Sequence, residues 1–124
     1  MITFELSRPP SVNNLFFNLP RRGRARTPAY NEWRSTAGWE LLVLKPRKSV
    51  GPVEITIEVS SKARGDTANY EKATVDLLVA HKVIEGDNHK IVKKVTMAQT
   101  DGIKGVRVTI KPAEKKQNGE LESN

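Results

Sequence analysis

The chain has 124 residues, 37% of them hydrophobic and 28% charged, with 21 Lys and Arg against 14 Asp and Glu for a formal net charge of +7. This composition suits one soluble globular domain with a real hydrophobic core and argues against general disorder. Cysteine is absent, so disulfide frameworks, thiolate metal sites and cysteine nucleophiles are excluded.

The opening MITFELSRPP has no apolar signal core, and no later apolar run is long enough to span a bilayer. A cytoplasmic location with no membrane partner is the expectation. Ile2, Phe4 and Leu6 alternate with Thr3 and Glu5, which predicts a half-buried strand over residues 2–6. SRPPSVNNLFFNLP then reads as a long irregular connection, because Pro9, Pro10 and the Asn pair interrupt regular structure. PRRGRAR, residues 20–26, concentrates Arg21, Arg22, Arg24 and Arg26, while Pro20 and Gly23 disfavour a helix. A flexible arginine loop of this kind suits phosphate contact; the alternative is a basic surface that serves only solubility.

Thr27 followed by Pro28 predicts a helix start, a hydroxyl N-cap with proline in the first turn. Tyr30, Trp33, Ala37, Leu41 and Leu44 continue as one apolar stripe until Pro46 stops the helix. Val53, Ile55, Ile57 and Val59 alternate with Glu54, Thr56 and Glu58, the clearest strand in the chain. A second helix is predicted from about Asp66 to Ala80, with Tyr70, Ala73, Leu77 and Ala80 toward the core. VIEGDNHKI leads into a weaker strand around 91–97, TDG at 100–102 supports a hairpin turn, and Val106, Val108 and Ile110 mark a last strand. The expected fold is α/β of the α+β kind, a mixed four-stranded sheet with two helices in the order β-α-β-α-β-β over residues 1–112. A polar tail over 113–124 is expected to fray.

The start of the second helix holds the chemistry. Asp66 makes a good N-cap, and that alone would explain it. Asn69, Lys72 and Asp76, however, lie along one flank at the rim of the core face, and Ala68 sits nearly above Lys72, where an acid would pair with the ammonium. Glu85 and Asp87 follow in the loop after the helix. Asp66 and Asp87 both lie at strand–helix junctions, which a compact fold can bring together near the end of the 53–59 strand. Two carboxylates so placed repel unless a cation lies between them, and Mg²⁺ suits such oxygen ligands beside phosphate. A lysine at the rim would then stabilise developing charge on a phosphodiester or orient the attacking water.

GDTANYEKATVDLL followed by VIEGDNHKI, together with the opening RPPSVNNLFF, resembles the RusA-type Holliday junction resolvases over roughly residues 1–112. Their pattern here is D-x-D-N-x-x-K, followed by a short acidic loop. The resemblance puts Asp66 at the first motif carboxylate, Asn69 at the asparagine, Lys72 at the lysine and Asp87 at the distal carboxylate. It implies a homodimer that binds four-way DNA junctions and nicks two strands symmetrically with Mg²⁺ held by the carboxylates, Mn²⁺ being a second candidate metal. The second motif aspartate is missing, and Ala68 stands in its place; Glu85 or Asp76 are substitute ligands to consider, though neither occupies the equivalent place. Loss of a ligand predicts weak Mg²⁺ binding and impaired catalysis with junction binding retained.

Lys62 and Arg64, just before Asp66, are further candidates for phosphate contact. Phe16 and Phe17 either wedge into an opened junction or anchor their loop to the core. Trp33 and Trp39 are expected to pack. His81 and His89 have no metal-ligand spacing and read as surface residues, and Lys93 and Lys94 read as solvent-facing. The rival readings are a non-catalytic basic nucleic-acid-binding protein, whose aspartates are only caps and turns, and a ribosome-associated basic protein.

Overall fold

Val53, Ile55, Ile57 and Val59 are buried while Glu54, Thr56 and Glu58 stay half-exposed, so β4 (Val53–Ser60) presents one dry row and one wet row. The computed structural model describes residues 1–63 and 65–113; Arg64 and the tail over 114–124 lie outside the described residues. The remaining strands are β1 (Ile2–Leu6), β2 (Phe16–Leu19), β3 (Gly23–Arg26), β5 (Val92–Thr100) and β6 (Val106–Pro112). The helices are α1 (Pro28–Leu44) and α2 (Glu71–Ala80), with short 3-10 turns at Val12–Asn14 and Thr67–Tyr70.

A four-stranded sheet runs in the order β1-β6-β4-β5, with β6 antiparallel to both β1 and β4 and β5 parallel to β4. The mixed sheet and two helices are as expected. A parallel neighbour cannot be reached by a tight turn, so α2 serves as the crossover between β4 and β5. Phe4, Leu6, Ile57, Val108 and Ile110 join Tyr30, Trp33, Leu77 and Leu78 in one buried cluster, which places both helices on the same sheet face. The opposite face carries rows such as Glu5–Arg107–Glu58, in which Arg107 pairs with Glu58 at 3.6 Å and Glu5 at 3.9 Å. These ion pairs are partly solvated and contribute little individually.

The hairpin expected at Thr100–Gly102 is not formed between β5 and β6. The chain turns there, but β6 pairs on the far side of β4. The reason is burial: Val106, Val108 and Ile110 are all fully buried, whereas Val92, Val95 and Met97 are only partly covered. The more apolar strand takes the central position and the weaker one, with exposed Lys93 and Lys94, takes the edge, where lysines deter further pairing. Gly105 makes the join possible, because a Cβ there would lie 2.1 Å from the Leu6 carbonyl oxygen.

The connection after β1 is more ordered than its sequence suggests: it contains the Val12–Asn14 turn and then β2, which pairs with β3 in a separate two-stranded ribbon. Local proline and asparagine signals hide this pairing because it depends on the facing strand. Two apolar stripes also end early. Leu44 is 48% exposed and Ala80 is exposed, each being the last residue of its helix. Trp33 packs in the core as expected, but Trp39 does not: it is 69% exposed. No helix among the described residues is long and apolar enough to cross a membrane.

Candidate nucleic-acid interface

The arginine cluster is a β-ribbon, not a flexible loop. Phe16 faces Arg26 and Asn18 faces Arg24 across β2 and β3, and Arg22 N–H closes the turn on Leu19 O at 3.3 Å. Alternation puts Arg24, Arg26, Phe16 and Asn18 on one side of the ribbon and Phe17 and Ala25 on the other. All four arginines are exposed. Arg24 lies over the Phe16 ring at 4.4 Å, Phe16 meets Tyr30 edge-on at 5.6 Å, and Tyr30 stacks on Trp33 at 6.1 Å. That chain of rings fastens the ribbon to α1. Phe16 is therefore an anchor, while Phe17 is 45% exposed on the other side. A two-stranded ribbon with aligned guanidinium groups has dimensions that fit a nucleic-acid groove.

Thr27 locks the ribbon's base. Its hydroxyl oxygen accepts from Tyr30 N–H at 3.1 Å as the α1 cap, and the hydroxyl donates to Asn14 O at 2.6 Å. Thr27 N–H also bonds Leu15 O at 2.9 Å. On the other side, Glu40 of α1 holds Ser7 through both carboxylate oxygens, and Trp33 Nε1–H bonds Ser7 O. Glu40 was not legible as important, since a lone glutamate in a helix gives no local signal. It fixes the segment that presents Arg8.

Arg8 lines an open cavity of about 530 Å³ together with Ser60, Lys62, Asp101 and Lys104. The cavity lies where β1, β4 and β5 end and β6 begins, at the common edge from which the chain continues toward Asp66. Ser61 donates its hydroxyl to Asp101, and Lys62 N–H bonds Ser60 Oγ at 3.2 Å, which leaves the exposed Lys62 ammonium on the rim. Arg8 and Lys104 are basic contributors that the motif comparison did not include.

The predicted second helix begins as a 3-10 turn. Gly65 (φ +79°) turns the chain, and an added Cβ there would also lie 3.1 Å from Asn69 Nδ2. Asp66 is extended, and its side chain makes no capping bond; the turn is closed by Asn69 N–H on Asp66 O at 3.0 Å. The expected carboxylate cap is thus absent, and Asp66 leaves its oxygens exposed. Ala68 is exposed as well, so its methyl group serves no core packing. Lys72, 51% exposed, pairs with Asp76 one turn later at 3.3 Å. Lys72 and Asp76 therefore share a flank of α2, with Ala73 and Leu77 buried behind it. Ala68 and Asn69 lie instead in the 3-10 turn ahead of the helix, not on the one continuous α-helical face with Lys72 that the sequence predicts.

Glu85 is engaged elsewhere: its carboxylate accepts from Gly51 N–H at 2.8 Å beside the start of β4. Asp87 is exposed in the following turn, where Asn88 O accepts from Ile91 and Val92 N–H. Neither Asp66 nor Asp87 forms an ion pair among the described residues. His89 is exposed, while His81 is half-buried against Gly38. Among the described residues no three or more His, Cys, Asp or Glu side chains gather closely enough to hold a metal ion. Free oxygens at Asp66 and Asp87 suit a hard cation, but a methyl group at 68 and the engagement of Glu85 and Asp76 leave the donor set incomplete. No protein-family model matches the chain, and no curated protein does.

Proposed function

We propose that the protein binds four-way DNA junctions as a RusA-type Holliday junction resolvase and that, with Ala68 in place, its Mg²⁺-dependent endodeoxyribonuclease activity is impaired. One observation carries this reading: uncapped Asp66, exposed Ala68 and rim-placed Lys72 follow one another at the surface where a helix start would otherwise have no use for them. The arginine ribbon and the cavity between Arg8, Lys62 and Lys104 support it, since both present cations to a phosphate backbone. In this reading the ribbon and cavity hold the DNA arms, Lys72 stands beside the scissile phosphate, and two copies are needed to treat the two strands alike.

The test restores the missing acid. Ala68 is exposed in the 3-10 turn between Asp66 and α2, so Ala68→Asp is tolerated by the fold and adds a carboxylate to the surface segment that carries Asp66 and leads into Lys72. Ala68→Asp is expected to create or greatly raise nicking of four-way junctions in Mg²⁺ or Mn²⁺, with little change in junction affinity measured without metal. Asp66→Asn or Asp87→Asn added to that variant abolishes the gain. If Ala68→Asp folds, binds junctions and stays inert in both metals, the metal-site reading is wrong, and a non-catalytic nucleic-acid-binding protein is the better description. That rival also predicts no response of binding to Mg²⁺ beyond ionic strength.

A further inference from the structure

α1 is apolar on two opposite sides. Tyr30, Trp33, Ala37 and Leu41 face the core, while Trp39, Leu42 and Val43 are 69%, 56% and 77% exposed. Their spacing of three and four makes them neighbours on one surface stripe, roughly opposite the core stripe. Leu42 is shared with a cavity of about 250 Å³ floored by Leu41, Pro46 and Val83 and edged by Lys45 and Lys48. A helix that is apolar on both sides is normally covered on both sides. Among the described residues nothing covers the outer one.

We infer that this stripe is a two-fold interface with a second copy of the chain, the two α1 helices packing antiparallel. The feature is self-complementary, as an isologous contact demands. A two-fold axis passing between Trp39 and Leu42 sets each copy's indole against the other's Leu42, next to the apolar cavity. Charge favours the same orientation. Glu32 lies on the outer stripe, two turns before Trp39, and Lys45 and Lys48 lie beyond its other end, so antiparallel helices bring acid to base. Parallel helices would place the lysines together. Antiparallel helix dipoles also attract.

The area is sufficient. Trp39, Leu42 and Val43, which are 69%, 56% and 77% exposed, together present on the order of 400 Å² of apolar residue, at the upper end of patches on monomers. Two copies bury about twice that, and with a polar rim the contact reaches the ~1,200 Å² of stable interfaces. Trp39 is the expected energetic centre, since buried tryptophans dominate such contacts. The inference says where two copies meet and needs no DNA, so it stands apart from the nuclease reading.

Sedimentation equilibrium and light scattering on the full chain without DNA test it. The expected result at about 100 μM is twice the 13.9 kDa chain mass. Trp39→Asp and, separately, Val43→Asp are expected to weaken self-association at least about 100-fold, the loss of one hot-spot contact. Circular dichroism and melting measured on the monomeric form should stay close to wild type, because both residues are exposed. A wild-type chain that stays monomeric overturns the inference; so does a dimer of unchanged affinity in both variants, which would place the contact on another surface. Junction binding is measured in parallel. A monomer that still binds junctions removes this interface and leaves the nucleic-acid reading, whereas a dimer that depends on Trp39 but ignores junctions does the reverse.

Discussion

Glu40 tests whether the ordered segment after β1 is held from α1 or merely lies against it. Its two oxygens accept from Ser7 N–H and Ser7 Oγ–H, each at 2.8 Å, while Trp33 Nε1–H donates to Ser7 O at 2.8 Å. Glu40→Ala removes two partly buried, charge-assisted bonds and leaves the Ser7 N–H to water. At roughly 1–1.5 kcal/mol net for each, the expected loss is about 2–3 kcal/mol. In a domain of this size each kcal/mol moves the melting temperature by about 4 °C, so Tm should fall by ~8–12 °C. Glu40→Gln keeps the shape and one acceptor, and its loss should be nearer ~1 kcal/mol. Urea unfolding followed by tryptophan fluorescence gives the values. A double-mutant cycle with Ser7→Ala isolates the hydroxyl bond and should return a coupling of about 1 kcal/mol. A Glu40→Ala loss below ~0.5 kcal/mol, the usual scale of an ordinary surface change, with no coupling to Ser7, would refute the clamp. Because Ser7 precedes Arg8, the same variant is expected to weaken junction binding more than a surface glutamate such as Glu71 does when replaced.

Replacing Arg21, Arg22, Arg24 and Arg26 by Ala should reduce the slope of log affinity against log salt by up to about 3–4 and weaken junction and duplex alike; an unchanged slope removes the ribbon from the interface. Gly105→Ala puts a Cβ 2.1 Å from Leu6 O, and the forced separation of β1 from β6 should cost at least ~3 kcal/mol or prevent folding, as thermal unfolding would show. Gly65→Ala must hold φ +79° and crowd Asn69; a loss of ~1–2 kcal/mol is expected, and chemical denaturation measures it. Gly38→Ala meets the His81 ring at 3.1 Å, where a side chain can shift, so its melting curve should fall by less than that of Gly105→Ala.

Signals carried by near neighbours were legible in the chain. The alternation over 53–59 and 106–110, the Thr27–Pro28 cap and the stop at Pro46 all depend on period, local hydrogen bonding or a fixed φ, and each element stands where its residues place it. The start of the second helix was less legible: the chain passes Asp66 and Ala68 in a 3-10 turn, and α2 begins only at Glu71. What tertiary structure decided involves residues far apart in sequence. The place of β6 between β1 and β4 follows from competition for the driest position, which neither the TDG turn nor β6 alone reveals. The ribbon needed β2 and β3 to meet, and the Glu40 clamp needed α1 to cross the end of β1. Trp39 shows the limit most directly. Its helix and its spacing were readable, but an apolar side chain reports only that it favours burial. Which surface covers it depends on everything else the fold has already buried, because the hydrophobic effect has magnitude without direction.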